Sequence, residues 1–191
     1  MKFNIPDKSF YFVRHGFTDA NRDELWSGGG WDISLNEIGI AQAQKASLLV
    51  LSLEHEIDKI FCSPMIRSKQ TTDLLNSKTL KPVEIIENLR EWKVGELEGK
   101  PWDKSILKTP IEKWGHPPGG ESIFDFYQRV GGAVEFCLNE AKTPLISAHG
   151  AVGRALLKLL NLPDQHIENC QIYKIQPILT SKLSWTIDSL K

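Results

Sequence analysis

Residues 10–19 read FYFVRHGFTD and join an apolar run directly to polar, chemically active side chains. Residues 10–13 are bulky and apolar, which predicts a buried strand. Arg14, His15 and Gly16 follow at once. Arginine and histidine are costly to bury without partners, and glycine lets the backbone turn where a Cβ would clash. A strand that ends in this way indicates a functional site at its carboxyl end.

The rest of the chain alternates between strand-like and helix-like segments. Predicted strands lie near residues 9–13, 57–62, 83–86, 145–147, 172–175 and 183–187, and predicted helices near residues 36–53, 64–76, 121–140 and 151–160. Asn36 is suited to cap the first helix, and Ser63 and Pro64 to cap and open the second. This alternation predicts an α/β fold, a three-layer sandwich whose mostly parallel central sheet carries helices on both faces.

Two stretches depart from regular patterns. Between residues 93 and 120 glycines and prolines interrupt the periodicity repeatedly, and an irregular excursion of this length predicts a lid or a binding loop. Gly131 and Gly132 lie inside the third predicted helix. Each costs about 1 kcal/mol relative to alanine there, so we expect close packing at this point of the helix.

The bulk composition limits the classes of partner. With 191 residues, 41% of them hydrophobic, we expect a single domain over residues 1–191. Lys and Arg (23) nearly balance Asp and Glu (24), so we expect no nucleic-acid partner. No apolar run is long enough for a secretion signal or a membrane span, and we expect a soluble, cytoplasmic protein without a membrane partner. Three widely spaced cysteines indicate neither a disulfide framework nor a zinc site.

Polar residues follow three of the predicted strands. Arg14 and His15 follow the first, Ser63 with Arg67 follows the second, and His149 follows a later one. The carboxyl ends of parallel strands meet at one edge of a sheet, so we expect these side chains to converge. Two arginines, two histidines and the adjoining helix N-termini predict an oxyanion site, and a phosphoryl group fits this density of donors best.

Histidine adds covalent and acid–base chemistry to such a site. His15 is the candidate nucleophile because it follows the strand directly and precedes a flexible glycine. Departure of the leaving oxygen needs an acid, and Glu91, just past the predicted strand at residues 83–86, is the candidate. Glu84, Glu87, Glu96 and Glu98 lie nearby, so the residues alone leave Glu91 also compatible with a solvated carboxylate.

Five ordered segments resemble the histidine phosphatase superfamily, the phosphoglycerate mutase-like family. They are Arg14-His15-Gly16 with Thr18 and Asn21, SPMIRSKQT at residues 63–71, LREWKVGELEG at 89–99, PPGGES at 117–122 and AHGAVGRALL at 148–157. The resemblance implies a phosphoglycerate mutase-like fold and no metal or organic cofactor.

The resemblance also implies a role for each matching residue. His15 is implied as the nucleophile that becomes phosphohistidine, with Arg14, Arg67 and His149 as the phosphate clamp. Glu91 is implied as the acid that protonates the leaving group and later activates water. Asn21 is implied as a further phosphate contact.

We therefore expect a phosphatase that hydrolyses a small phosphorylated metabolite. A phosphoglycerate mutase using the same phosphohistidine is the first alternative, and it requires basic residues for a second anionic group. The excursion offers five lysines and no arginine, which favours hydrolysis; they are Lys93, Lys100, Lys104, Lys108 and Lys113. A catalytically silent phosphate-binding protein is the second alternative.

Other residues bear on the substrate side of the site. Phe17 stands where many relatives carry an acidic or amide residue, which predicts a more apolar pocket. Trp92, Trp102 and Trp114 cluster in the excursion, where they either pack in the core or line the pocket mouth. We expect the other histidines to be structural or surface residues; they are His55, His116 and His166.

Overall fold

Six strands form the central sheet of the computed structural model, which describes residues 3–103, 116–178 and 184–191. They are β1 (Phe10–Arg14), β2 (Ile60–Cys62), β3 (Val83–Ile85), β4 (Leu145–Ala148), β5 (Ile172–Ile178) and β6 (Ser184–Ser189). Their spatial order is β3-β2-β4-β1-β5-β6. The first four are parallel, whereas β5 and β6 run antiparallel to their neighbours.

Five α-helices accompany the sheet in the described ranges. They are α1 (Asp19–Arg22), α2 (Glu37–Ser52), α3 (Ile66–Asn76), α4 (Ile123–Glu140) and α5 (Gly150–Leu159). Two 3₁₀ turns, Glu87–Leu89 and Gly95–Leu97, follow β3. None of the helices in this part of the chain has the length and apolarity that a bilayer crossing requires.

The alternation of side chains along β1 divides the core between two faces of the sheet. Phe10 and Phe12 belong to a cluster with residues of α4 and α5, whereas Tyr11 and Val13 pack with residues of α2 and α3. Successive residues of a strand point to opposite faces, so one strand contributes to both layers. The predicted three-layer α/β sandwich is confirmed.

Local capping chemistry explains one helix start and fails for another. Asn36 caps α2, its side chain accepting the Gly39 N–H at 3.0 Å, as predicted. The helix predicted near residues 64–76 is present as α3, but its predicted cap is wrong, because the helix begins at Ile66 and its N-cap, Met65, makes no side-chain hydrogen bond. The Ser63 hydroxyl instead contacts His149.

Strand register brings three polar strand ends side by side. Arg14 pairs with Ala148 across β1 and β4, and Cys62 pairs with Ser147 across β2 and β4. Because β4 lies between β1 and β2, the residues that follow these strands emerge at one edge of the sheet. The convergence predicted from the sequence is confirmed.

The two ends of the excursion lie against each other. Glu121 N donates to Lys93 O at 2.8 Å, and Glu96 N donates to Pro118 O at 2.9 Å. Gly95 has a φ of 56°, and a Cβ there would lie 2.2 Å from Pro118 O, so only glycine fits. Residues 104–115, including Trp114 and the lysines at 104, 108 and 113, lie outside the described residues.

The expected close packing in α4 is present at one of its two glycines. A Cβ at Gly131 would lie 2.5 Å from ring carbons of Phe3, whereas a Cβ at Gly132 would meet nothing within 4 Å. The expectation is therefore confirmed for Gly131 and wrong for Gly132.

Alanine substitutions at the two glycines should have different effects. Gly132→Ala should raise the free energy of unfolding by about 1 kcal/mol because of the higher helix propensity of alanine. Gly131→Ala should lose this gain because the Phe3 ring has to move away from the new Cβ. Urea unfolding of both variants measures the difference. In a Phe3→Ala background Gly131→Ala should stabilise, and equal stabilisation with Phe3 present would contradict the packing.

Candidate active site

His15 follows β1 and is almost completely buried, with 3% of its surface exposed. Its Nδ1 lies 2.7 Å from Gly16 O, a carbonyl that can only accept, so Nδ1 carries the ring proton. The Nε2 atom therefore keeps its lone pair. Gly16 is required by close approach, because a Cβ there would lie 2.6 Å from Gly39 O of α2. The fold thus fixes both the orientation of the ring and its tautomer.

Arg67, in the first turn of α3, is fully buried beside this imidazole. Its Nε donates to His15 Nε2 at 3.2 Å, and its Nη1 and Nη2 donate to the carbonyls of Trp31 and Gly28 at 3.3 and 2.9 Å. A guanidinium has five N–H groups, so two remain for an oxyanion. Arg67 is therefore held at His15, and two of its N–H groups remain available to a ligand.

Residues 28–31 also pack against the segment that carries Glu91. A Cβ at Gly29 would lie 2.3 Å from Glu91 O. Gly30 N donates to Glu98 Oε1 at 2.8 Å. Residues 28–31, here called the glycine loop, thus lie between Arg67 on one side and residues 91–98 on the other.

His149 occupies the N-cap position of α5 without a side-chain capping bond and is fully buried next to His15, with ring centroids 5.2 Å apart. Its Nε2 lies 2.6 Å from Ser63 Oγ, and Oγ accepts the Met65 N–H at 3.4 Å. We assign the Ser63 proton to the bond with Nε2, which leaves the ring proton on Nδ1. His149 Nδ1 is buried without an acceptor in the described structure. Its N–H is therefore a donor for a bound oxyanion.

Arg14 and Asn21 complete the predicted anion contacts. Arg14 Nη1 donates to Ile167 O at 2.9 Å, while its buried Nε has no acceptor among the described residues. Asn21 Oδ1 accepts the Thr18 N–H at 3.1 Å in the capping box of α1. Both residues line the cavity described below. The structure therefore places all the predicted clamp residues around His15.

Glu91 reaches the same site from the segment that follows β3 and the first 3₁₀ turn. One carboxylate oxygen accepts the Ala151 N–H of α5 at 3.1 Å, and the other accepts the N–H of Trp92 at 2.9 Å. The first of these bonds ties the carboxylate to the helix that starts after His149. A cavity position and a fixed orientation distinguish Glu91 from a solvated carboxylate.

A single arginine of α4 supports the segment that carries Glu91. The Arg129 guanidinium donates to both carboxylate oxygens of Glu121, at 2.6 and 2.8 Å. It also donates to three main-chain carbonyls at 2.7 to 3.0 Å; they belong to Asn88, Arg90 and Glu91. All five N–H groups of Arg129 are thus used.

A cavity of about 330 Å³ adjoins these residues. Its polar lining includes Arg14, Asn21 and Glu91. Its aromatic lining is formed by Trp26, Trp92 and Trp102. The alternative that tryptophans line the pocket is therefore confirmed for Trp92 and Trp102. Phe17, by contrast, is not among the described lining residues; its N–H donates to Gln42 Oε1 at 2.9 Å.

Sequence reasoning missed Trp26 and Arg154, which belong to the cavity lining. Arg154 lies four residues after Gly150 in α5, so helical spacing could have placed it over the start of that helix. His166 is a surface residue, as expected, and its exposed side chain also lines the cavity. Ser63 was expected to converge with the other strand-end residues, but its contact with His149 was not predicted.

Burial dominates the electrostatics of the site. It lowers the pKa of His15 and of His149 well below 6.5, and the nearby Arg67 guanidinium acts in the same direction. Burial lowers the pKa of Arg67 to about 10, so this side chain stays charged at neutral pH. Neutral imidazoles beside fixed guanidinium groups suit a nucleophile and an oxyanion clamp. The described residues contain no cluster of three side chains suited to hold a metal ion.

Comparison with known proteins places this geometry in a family. The histidine phosphatase superfamily (branch 1) matches residues 10–188. The chain belongs to the histidine phosphatase superfamily.

Curated relatives and solved structures with this fold carry several names. The chain is 34% identical to fructose-2,6-bisphosphatase TIGAR of Xenopus tropicalis in an alignment 155 residues long, which covers 74% of this chain and 55% of that protein. It thus spans about half the length of that relative. It is 31% identical to the probable phosphoglycerate mutase GpmB of Yersinia pestis (strain Pestoides F), covering 94% of this chain and 90% of that protein. The structure of a putative α-ribazole-5′-P phosphatase from Escherichia coli K-12 superimposes with a TM-score of 0.78 at 26% identity, covering 96% of both chains.

The buried imidazoles predict a particular pH dependence of stability. In the unfolded chain both rings take up protons near pH 6.5, whereas in the folded protein they stay neutral well below it. The unfolded state then binds more protons, so the free energy of unfolding should fall as the pH is lowered through 6.5. The fall should reach up to about 1.4 kcal/mol per pH unit for each ring.

Histidine ring resonances and urea unfolding between about pH 7.5 and about pH 5.5 measure this effect. His149→Gln assigns one ring and should remove its share of the pH dependence. A His15 or His149 resonance that titrates near pH 6.5 in the folded protein would contradict the assignment of neutral, buried rings.

Proposed function

We propose that the protein is a phosphomonoesterase that hydrolyses a small phosphorylated metabolite through a phosphohistidine. The observation that carries the proposal is the state of His15. Its Nδ1 proton is engaged by Gly16 O, and its Nε2 lone pair faces the Arg67 guanidinium. A neutral imidazole held against a cation is suited to attack an electron-poor phosphorus whose oxygens the cation neutralises.

The first half of the reaction transfers the phosphoryl group to His15. Arg67 Nε–H, which donates to His15 Nε2 in the structure, turns to a phosphoryl oxygen when the substrate binds, and the released Nε2 lone pair forms the N–P bond. The P–O bond to the leaving group breaks at the same time, and its electron pair goes to the leaving oxygen. Glu91 gives this oxygen a proton. Arg14, Arg67 and His149 Nδ1–H stabilise the equatorial oxygens, and positioned charges of this kind carry most of phosphoryl transfer.

The second half releases inorganic phosphate. Glu91, now a carboxylate, accepts a proton from a water molecule as that water attacks phosphorus. The N–P bond breaks, and its electron pair returns to His15 Nε2. The bond from the Ala151 N–H holds the Glu91 carboxylate towards this side of the site in the structure.

Names of relatives support this reading and one alternative. TIGAR is named a fructose-2,6-bisphosphatase and the Escherichia coli structure a putative α-ribazole-5′-P phosphatase, whereas GpmB is named a probable phosphoglycerate mutase. One observation favours the mutase: Arg154 lines the cavity and has no acceptor among the described residues, as a site for a second anionic group would require. Of the five lysines named above, Lys93 and Lys100 belong to the described residues, and neither is among the lining residues there.

We also infer that residues 1–191 act as one domain, since β1 to β6 belong to one sheet. The partner would be a small-molecule phosphate monoester, and the nearly balanced charge argues against nucleic acid. A cytoplasmic location is supported by three free, buried cysteines, because disulfides are rare in that compartment.

Replacing His15 should abolish turnover and the covalent intermediate together. His15→Ala should lower kcat for an aryl phosphate by at least about a thousandfold and remove acid-labile phosphoenzyme trapped from labelled substrate. The control is His55→Ala, which removes an imidazole that is 94% exposed. The same preparations are assayed with 3-phosphoglycerate.

Three results would contradict the proposal. Activity that survives in His15→Ala would place the chemistry elsewhere. Fast isomerisation of 3-phosphoglycerate with negligible phosphate release would identify a mutase. Phosphate binding without turnover or phosphoenzyme in the wild type would identify a silent phosphate-binding protein.

Replacing Glu91, or Arg129, which holds its main chain, should lower kcat most for substrates with poor leaving groups. Glu91→Gln should lower kcat for an alkyl phosphate by about a hundredfold or more, and kcat for an aryl phosphate with an acidic phenol much less. Arg129→Lys should show the same pattern more weakly, because it loosens the main chain at Glu91 without removing the carboxyl group. A plot of log kcat against leaving-group pKa measures this effect.

Arg22→Lys is the matched control, since Arg22 is exposed and pairs only locally with Asp19 and Asp23. Uniform losses across all leaving groups in Glu91→Gln would contradict a role as general acid. Unchanged leaving-group dependence in Arg129→Lys would show that Arg129 is structural only.

A further inference from the structure

Three tryptophans form a continuous aromatic surface of the cavity, here called the indole wall and defined as Trp26, Trp92 and Trp102. The ring centroids of Trp26 and Trp102 are 5.9 Å apart, and those of Trp26 and Trp92 are 6.4 Å apart. Trp92 is nearly buried and packs on Phe126 of α4, which anchors the wall to the core. Trp26 and Trp102 are partly exposed and form its accessible part.

The main chain holds the wall in place. Residues 24–26 pair with residues 99–102 through Trp26 N to Lys100 O at 2.9 Å, Gly99 N to Trp26 O at 2.7 Å and Trp102 N to Glu24 O at 2.7 Å. Glu24 adopts a φ of 52° within this pairing, a conformation unfavourable for a non-glycine residue. A surface fixed in this way loses little conformational entropy when a ligand packs on it.

Part of the remaining lining is also apolar. Ala20, Leu25 and Val94 contribute to the same cavity as Arg14, Asn21 and Glu91, and polar groups are added by Glu24, Ser27, Arg154 and His166. A phosphoryl group held at Arg14 therefore has a leaving group that lies in a cavity with an indole surface on one part of its lining. An open-chain polyol would cover little of this indole surface, whereas the face of a ring would cover it and bury apolar area.

The cavity is large enough for a ring. At about 330 Å³ it lies within the range for small-molecule sites. This volume accommodates a phosphate ester with one or two rings.

We propose that the substrate is a phosphate monoester whose leaving group carries a ring, either an aromatic ring or a sugar ring, that packs against Trp26 and Trp102. These two residues then select ring-bearing esters over open-chain esters. The proposal rests on the proposed phosphatase function and narrows its substrate class.

Matched pairs of substrates test the selection. Benzyl and cyclohexylmethyl phosphate are compared with n-butyl phosphate, and glucose 6-phosphate is compared with glycerol 3-phosphate. All five are esters of primary alcohols, so chemical leaving ability varies little. The wild type should favour ring-bearing members in kcat/KM by about ten- to a hundredfold. Whether the benzyl or the glucose pair shows the larger preference distinguishes an aromatic from a sugar ring.

Variants of Trp26 and Trp102 test whether the indole wall causes the preference for ring-bearing esters. Trp26→Leu and Trp102→Leu should each lower the ring-to-chain ratio about tenfold, because leucine keeps the apolar character and removes the flat face. Trp185→Leu is the control; Trp185 lies on β6, packs on Phe10 and is not among the lining residues of the described structure. Its ratio should equal that of the wild type, and thermal melts confirm that all variants fold.

A binding experiment separates this inference from the proposed function. Dissociation constants of benzylphosphonate and n-butylphosphonate, measured calorimetrically, report ring preference without turnover. Tighter binding of benzylphosphonate, weakened by Trp26→Leu, supports ring selection by the indole wall. If no ester is hydrolysed, that result contradicts only the proposed phosphatase function. Equal binding of the two phosphonates, or a preference that survives both leucine variants, overturns the inference whatever the hydrolysis assays show.

Discussion

The buried guanidinium of Arg67 is the constraint on which the rest of the site depends. A fully buried cation is costly unless its donors find acceptors, and here those acceptors are His15 Nε2 and the carbonyls of Gly28 and Trp31. Satisfying Arg67 therefore fixes a helix, a glycine loop and the imidazole relative to one another. The same burial, with the guanidinium beside it, lowers the pKa of His15 and keeps the ring neutral.

A second arginine performs the corresponding task for Glu91, the proposed acid. Arg129 uses all its donors on Glu121 and on the main chain of residues 88–91. The proposed nucleophile is thus held from α3 and the proposed acid from α4, on opposite faces of the sheet, and the two meet at its edge. This arrangement explains why residues far apart in the sequence form one rigid site.

The parts of this structure that local chemistry determines could be predicted from the sequence. The strand at residues 10–14, the Asn36 cap and the convergence at the strand ends follow from periodicity, capping and the parallel order of the strands. The Ser63 hydroxyl could not be assigned locally, since capping α3 and bonding His149 use the same oxygen and only tertiary contact decides between them. The positions of Trp26 and His166 likewise depend on how loops pair across the cavity.

The glycine loop at residues 28–31 has a consequence for how specificity can change. Its carbonyls hold Arg67, and a side chain at Gly29 would press on the main chain of Glu91. If these two residues act as proposed, mutations in this loop change substrate choice and reaction rate together. The partly exposed side chains of Trp26 and Trp102 are joined to Glu91 indirectly, because Trp26 packs on Trp92, whose N–H donates to the Glu91 carboxylate. They are a surface on which new substrates can be explored by natural variation or by design without replacing any of the proposed catalytic residues.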